Sequence, residues 1–214
     1  MGRILARIAL VAAICLPVMA RAAPVVNLLT DGDFSQVAPF TINGGWENTT
    51  TNNAVIPGWT VSPVGNVDVV NNLYWQQVPG TTNSIDMNGW VPGSISQTFA
   101  TTAGAKYAGS FYLSANPGAD GQTTSLAVSA GSYNNTFTFV PTNTSTKMGW
   151  QLEGFSFTAG LGSTTTLMFT SLLPSGTAGP TIANVIVSAP EPSMGLMLGT
   201  GLVSFFGIRR RFAK

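Results

Sequence analysis

From Val25 to Ser188 apolar and polar side chains alternate in short runs, and no stretch sustains the 3.6-residue period of an amphipathic helix. Tyr107, Gly109, Phe111 and Leu113 share one face of an extended segment, with Ala108, Ser110 and Tyr112 on the other. The same period of two recurs in Leu126/Val128, Phe137/Phe139, Phe155/Phe157, Leu167/Phe169 and Ala183/Val185/Val187. Turn chemistry separates these runs, in Asn116 to Gly118, Ala130-Gly131, Val140-Pro141, Gly160 to Gly162 and Pro174 to Gly176. Strands at this spacing with no helices between them predict an all-β fold, an antiparallel β-sandwich of eight to ten strands in a jelly roll. Residues 43–53, rich in Gly, Thr and Asn, are expected to form a long loop, and no fixed-period repeat suggests a propeller or β-helix.

The two ends break this pattern. In residues 1–22, Arg3 and Arg7 precede a short apolar run from Ile8 to Leu16, and Ala20-Arg21-Ala22 supplies a small-x-small cleavage site. That is the layout of a secretory signal peptide. At the other end, Pro190-Glu191-Pro192 cannot continue a strand, because two of its three residues lack an amide hydrogen. An uncharged segment from Met194 to Ile208 follows, then Arg209, Arg210 and Arg211. This predicts a short transmembrane helix at about 194–208, with the arginines snorkelling to the cytoplasmic interface. The expected organisation is a signal peptide at 1–22, a sandwich domain at 23–188 and a sorting segment at 189–214.

Charge changes the picture once it is divided among these parts. The chain carries 9 basic and 8 acidic side chains, a net +1. Between residues 24 and 188 the only cations are Lys106 and Lys147 against seven carboxylates, so the body carries 2 − 7 = −5. Such a body has no basic face for a phosphate backbone, and nucleic acid is not an expected partner. The chain has no His, and its single Cys, Cys15, lies in the apolar leader. Disulfides, Cys/His zinc sites and thiol or imidazole catalysis are thereby excluded from the body.

The order Pro-Glu-Pro, short Gly-rich apolar segment and terminal arginine cluster resembles the PEP-CTERM sorting signal of exopolysaccharide-producing Gram-negative bacteria. The resemblance implies recognition of Pro190, Glu191, Pro192, Arg209, Arg210 and Arg211 by an exosortase-type transpeptidase. It also implies transient anchoring in the inner membrane and delivery to the outer surface or extracellular matrix. The body carries a second resemblance in Asn27-Leu28-Leu29-x-Asp31-Gly32-Asp33-Phe34, Gly58 to Val61, Val67-Asp68-Val69 and Ser84 to Gly89. Ile95 to Phe99, Met148-Gly149-Trp150, Gly179-Pro180 and Asn184-Val185 complete it. These runs resemble the choice-of-anchor C group of PEP-CTERM proteins, which is similar to galactose-binding-like domains, the jelly-roll architecture of many carbohydrate-binding modules.

Galactose-binding-like sandwiches often hold a structural calcium where the first and last strands meet. The resemblance would place carboxylates at positions occupied here by Ser35 and Ala183. Asp31 and Asp33 are the remaining weak candidates, and their simpler role is to close a turn. No metal and no cofactor are expected.

Sugar recognition needs flat aromatic faces together with amides or carboxylates for hydroxyl groups. Tyr74 and Trp75 are adjacent, so in a strand they point to opposite faces, one to the core and one outward. Asp86 and Asn88 share a face, and Trp90 follows in a Gly-flanked loop. Gln97, between Ile95 and Phe99 on their face, must find a partner, because an unsatisfied buried amide costs about 1–3 kcal/mol. Tyr74, Trp75, Asp86, Asn88, Trp90 and Gln97 are therefore the candidate glycan-binding residues, while Trp59 and Trp150 are expected in the core. A glycosidase pair of Asp68 and Asp86 finds no further support in the sequence, and no nucleophile elbow or phosphate loop is present. The expectation is a non-catalytic, exported polysaccharide-binding protein; the alternative is a structural matrix or envelope protein without a small-ligand site.

Overall fold

The computed structural model describes residues 25–37, 44–50, 56–119 and 121–189. The expected signal peptide, the apolar segment at 194–208 and the sorting residues Pro190 to Pro192 and Arg209 to Arg211 lie outside the described residues. The body forms eleven strands: β1 Trp46–Thr49, β2 Thr60–Val61, β3 Val67–Asn71, β4 Asn83–Asp86, β5 Ser94–Ala100, β6 Lys106–Ala115, β7 Thr124–Ala130, β8 Tyr133–Phe139, β9 Gln151–Thr158, β10 Thr164–Ser171 and β11 Pro180–Ser188. One sheet has the order β1-β3-β4-β11-β6-β9 and the other β2-β5-β10-β7-β8, with every pairing antiparallel. This is the two-layer sandwich that the period of two predicts. The inner faces enclose one core in which Phe111 meets Phe137, Phe155 and Phe169, and Trp59 packs between Phe34 and Phe169. Its buried members run from Leu29 to Val187, so among the described residues the core is built from the body's own side chains, the property of a domain able to fold alone.

Three features differ from the sequence pattern. Residues 46–49 are an edge strand instead of part of a loop; among the described residues its one hydrogen-bonded neighbour is β3, and few of its residues are apolar, so alternation is faint there. In β11 the expected face Ala183/Val185/Val187 is broken by a bulge between Ala183 and Ile186, with Asn184 at φ 48°. The bulge resets the alternation, so Ile182, Val185 and Val187 point into the core. Trp59 is buried as expected, but Trp150 is half-buried outside the main core, against a smaller cluster of Val70, Trp75 and Met148.

That smaller cluster lies on the outer face of the six-stranded sheet, since Val70 alternates with the core residues Val67 and Val69 along β3. Beside it runs a row of polar side chains in continuous register. Asn48 on β1 faces Asp68 on β3, Asp68 faces Asp86 on β4, Asp86 faces Thr181 on β11, and Thr181 faces Ser114 on β6. Ordinarily such a row would be washed by solvent. Here Asp86, Thr181 and Ser114 are buried, because loops fold back over the sheet.

Candidate functional site

The loops that cover the polar row leave a groove of about 150 Å³, whose lining includes Asp68, Asp86 and three large aromatic side chains, Trp46, Tyr74 and Trp90. Each ring is presented by a distinct local device. Trp46 opens the edge strand β1 and meets Trp90 edge to face, with centroids 5.9 Å apart. Tyr74 stands on the turn after β3, where the Asn71 carbonyl accepts its backbone N–H at 3.1 Å and the Asn71 side chain accepts that of Leu73 at 2.8 Å. Gly45 packs against this turn at φ 90°, and a side chain there would collide with the Tyr74 backbone. Trp90 is at the tip of a loop closed by the bridge between Asn88 and Pro92. Asn66 holds that loop: its Oδ1 accepts from the backbone N–H of Trp90 at 2.6 Å and of Val91 at 3.3 Å, and its carbonyl accepts from Gly89 at 3.0 Å.

Trp90 is 62% exposed and Tyr74 47%. Trp75, by contrast, is 2% exposed and donates its indole N–H to Ser84 at 2.9 Å, which pins it to the outer face of the sheet. One of the two adjacent aromatics is thus packed and the other available, although the segment is a turn and not a strand.

Below the rings are the two carboxylates. Asp86 is 1% exposed, yet it accepts three N–H bonds: Oδ1 from Asn88 at 3.0 Å and Gly179 at 3.2 Å, Oδ2 from the Asn116 side chain at 2.7 Å. Burial pushes its carboxyl up from 3.8 to about 8; the Asn88, Asn116 and Gly179 donors oppose this, and the nearby Asp68 charge adds to it. Asp68 is half-buried and accepts from the Asn48 side chain at 2.7 Å, while no described residue bonds its Oδ2. Burial raises it as well, to about 6, against the Asn48 bond. Gly89 packs so closely on Asn48, Asn66 and Asp68 that a methyl group there would displace them.

Of the six residues expected to form the site, the structure brings Tyr74, Trp75, Asp86 and Trp90 to this groove. Asn88 is fully buried beside it, donating its amide to the Gly176 carbonyl at 3.0 Å, and its Oδ1 has no partner. Gln97 lies on β5 of the other sheet, where it accepts from the Thr30 N–H at 2.6 Å and donates to the Thr30 carbonyl at 2.9 Å. Its buried amide finds its partner by clamping the first segment, away from the groove. Trp46, Asp68, Asn116 and Thr177 join the lining. For Asp68 the legible signal was its position between Val67 and Val69, which turns it to the face opposite the core. Asn116 and Thr177 sit in loops whose paths the alternation does not encode.

Asp31 and Asp33 serve a turn. Asp31 accepts from the Gln36 N–H at 2.8 Å, and Asp33 from the N–H and hydroxyl of Ser35. Among the described residues no group of three or more carboxylates, His or Cys is placed to hold a metal ion, and the two aspartates alone do not supply the six to eight oxygens calcium takes.

The sequence matches the family model described as "Protein of unknown function (DUF642)" over residues 27–188, about three quarters of the chain. A model of the PEP-CTERM protein-sorting motif matches residues 188–211. No curated protein matches. Among solved structures, the chain is similar to a family 4 carbohydrate-binding module (17% identity, 76% of this chain and 99% of that one, TM-score 0.44). It is also similar to the family 35 module from Paenibacillus barcinonensis (15%, 67% and 99%, TM-score 0.41) and to the family 22 xylan-binding domain of Xyn10C from the same organism (15%, 68% and 91%, TM-score 0.42). At these identities and TM-scores no ligand carries over to this chain.

Proposed function

This chain belongs to the DUF642 family and ends in a PEP-CTERM sorting motif, and from that premise we propose that it is exported by an exosortase-type system to the envelope or matrix of a Gram-negative cell, where its body binds polysaccharide without chemically altering it. The observation that carries the reading is the groove itself: two exposed rings, Tyr74 and Trp90, are held by dedicated turns over a hydrogen-bonding floor. A pyranose has apolar C–H faces and an equator of hydroxyls. Rings and carboxylates in one lining match both, and Leu73 and Val91, the chain neighbours of Tyr74 and Trp90, are themselves exposed. Few charges compete elsewhere on the surface, where Thr, Ser and Asn predominate.

The non-catalytic reading is supported by the state of Asp86. All three of its hydrogen bonds come from N–H groups that also organise the surrounding loops, so it acts as a fixed hub and not as an acid facing a glycosidic oxygen. The test is a glycan array probed with the body and its Trp90→Ala variant. Retention on one class of polysaccharide, lost in the variant, is expected. Failure to bind any glycan would leave a structural matrix protein as the better account, and binding indifferent to Trp90→Ala would move the site elsewhere.

A further inference from the structure

Among the described residues the groove is lined by two carboxylates and no cation. Lys106 and Lys147 are the only cations between residues 24 and 188, and neither lines it. Carboxylates withdrawn from water without a counter-charge are unfavourable, and a fold tolerates them where a ligand brings the missing charge. Asp68 keeps an oxygen that no described residue bonds, next to Asp86 in the same row of the sheet. The walls point the same way, because the faces of Trp and Tyr rings carry the negative part of their quadrupole and attract an ammonium group within about 6 Å of the ring. A volume of about 150 Å³ is that of a cavity that takes a benzene-sized group, which in an open groove accommodates the amino-bearing edge of a sugar.

Resting on the polysaccharide reading above, we propose that the groove selects an amino sugar with a free ammonium group, as in a de-N-acetylated polysaccharide, with the ammonium between Asp68 and the aromatic wall of Trp46, Tyr74 and Trp90. Asp86, its oxygens already occupied by three N–H donors, forms the floor and leaves the charge to Asp68. A neutral sugar would leave Asp68 without a counter-charge. An N-acetylated one would in addition have to fit an acetyl group where the ammonium belongs.

Three β-1,4-linked trimers that differ only at position 2 test this by calorimetric titration of the body near neutral pH and at physiological salt: those of glucosamine, N-acetylglucosamine and glucose. The glucosamine trimer is expected to bind about 10-fold tighter than either of the others. Asp68→Asn should remove that preference, while Glu153→Gln on β9, which changes net charge equally but lies outside the groove, should keep it. Should Asp68→Asn fail to fold, Trp90→Ala, whose side chain is exposed, serves in its place and should weaken the glucosamine trimer by a similar factor. Equal binding of the three trimers, or a preference that survives both groove variants, overturns the proposal. If neutral trimers bind and Trp90→Ala abolishes their binding, polysaccharide recognition stands and only the ammonium selectivity falls. No binding by any trimer also overturns the proposal, and the glycan array then decides separately on polysaccharide binding.

Discussion

Asp86→Asn should flatten the dependence of stability on pH, and the structure sets the scale of the effect. Burial raises the Asp86 carboxyl from 3.8 to about 8, so the folded state holds this proton more tightly than the unfolded chain. The associated stability is fully present below the unfolded value and is lost as pH rises through the folded one. The interval of roughly 4 pH units, at about 1.4 kcal/mol each, gives a ceiling of ~6 kcal/mol. That is comparable with the whole stability of an ordinary domain. Asparagine cannot ionise, but it brings its own cost. Its oxygen can keep the Asn88 and Gly179 donors, while its amide meets the amide of Asn116, whose oxygen is held by Gly118 at 2.8 Å. One buried donor without an acceptor costs about 1–3 kcal/mol. Urea unfolding of the body, followed by tryptophan fluorescence between about pH 4.5 and 8.5, should therefore find the variant weaker at the acid end, with the two curves converging or crossing toward pH 8. The titratable groups facing Asp86 are Asp68 on β3 and Tyr74 on the turn after it; β11 and the loops of Asn116 and Gly179 bring none. Asp68 and the distant Asp31, both raised mainly by burial to about 6, account for the slope that remains in the variant. A wild-type stability that is level or rising between pH 5 and 8, or a variant with the full wild-type slope, would refute the reasoning.

Three further outcomes follow from the same geometry. Gln97→Leu removes both hydrogen bonds to Thr30 and should cost about 2 kcal/mol in urea unfolding, while leaving glycan affinity unchanged because Gln97 does not line the groove; a loss of affinity at unchanged stability would return Gln97 to the site. Asn66→Ala releases the Trp90 loop from its anchor and should speed ligand dissociation several-fold in surface plasmon resonance with little change in association, whereas unchanged dissociation would show that the loop holds itself. Mass spectrometry of the surface-associated protein should find a C-terminus near Pro192, and an intact Lys214 there would defeat processing at the sorting motif.

The alternation of side chains was sufficient to read the sandwich because nearly every strand has one face in the core, where period two is enforced by burial. It failed where that enforcement lapses. Residues 46–49 lie at an edge and pair with one neighbour, so Trp46 and Asn48 show no apolar partner pattern. At Asn184 a bulge inserts a residue, and the face of β11 changes hand without any change in composition. The groove was half legible for a related reason. Tyr74, Asp86 and Trp90 stand out as residue types, but what gathers them with Asp68 and Asn116 is cross-strand register and loop closure, which a single sequence does not contain. Gln97 was correctly read as an amide in need of a partner, and the partner is the backbone of the first segment, brought beside β5 by the topology.

The location of the groove follows from how the sandwich spends its two kinds of surface. Inner faces are committed to the core, and any side chain there answers to packing. The outer face of the six-stranded sheet is free of that demand, yet here the loops at 72–78, 88–93 and 177–179 turn back onto it, so that a polar row is buried without being sealed. Replacing Asp86 by an apolar residue would strand three N–H groups; replacing Asp68 would cost the Asn48 amide one of its two acceptors, with Asn66 Oδ1 remaining at 3.2 Å. The first carboxylate is thus bound into the architecture and the second is comparatively free of it. A structural role accounts for Asp86 alone. Asp68, with an oxygen that no described residue bonds, beside three rings and with no cation among the described residues of the lining, is the group of this row left free to meet a ligand.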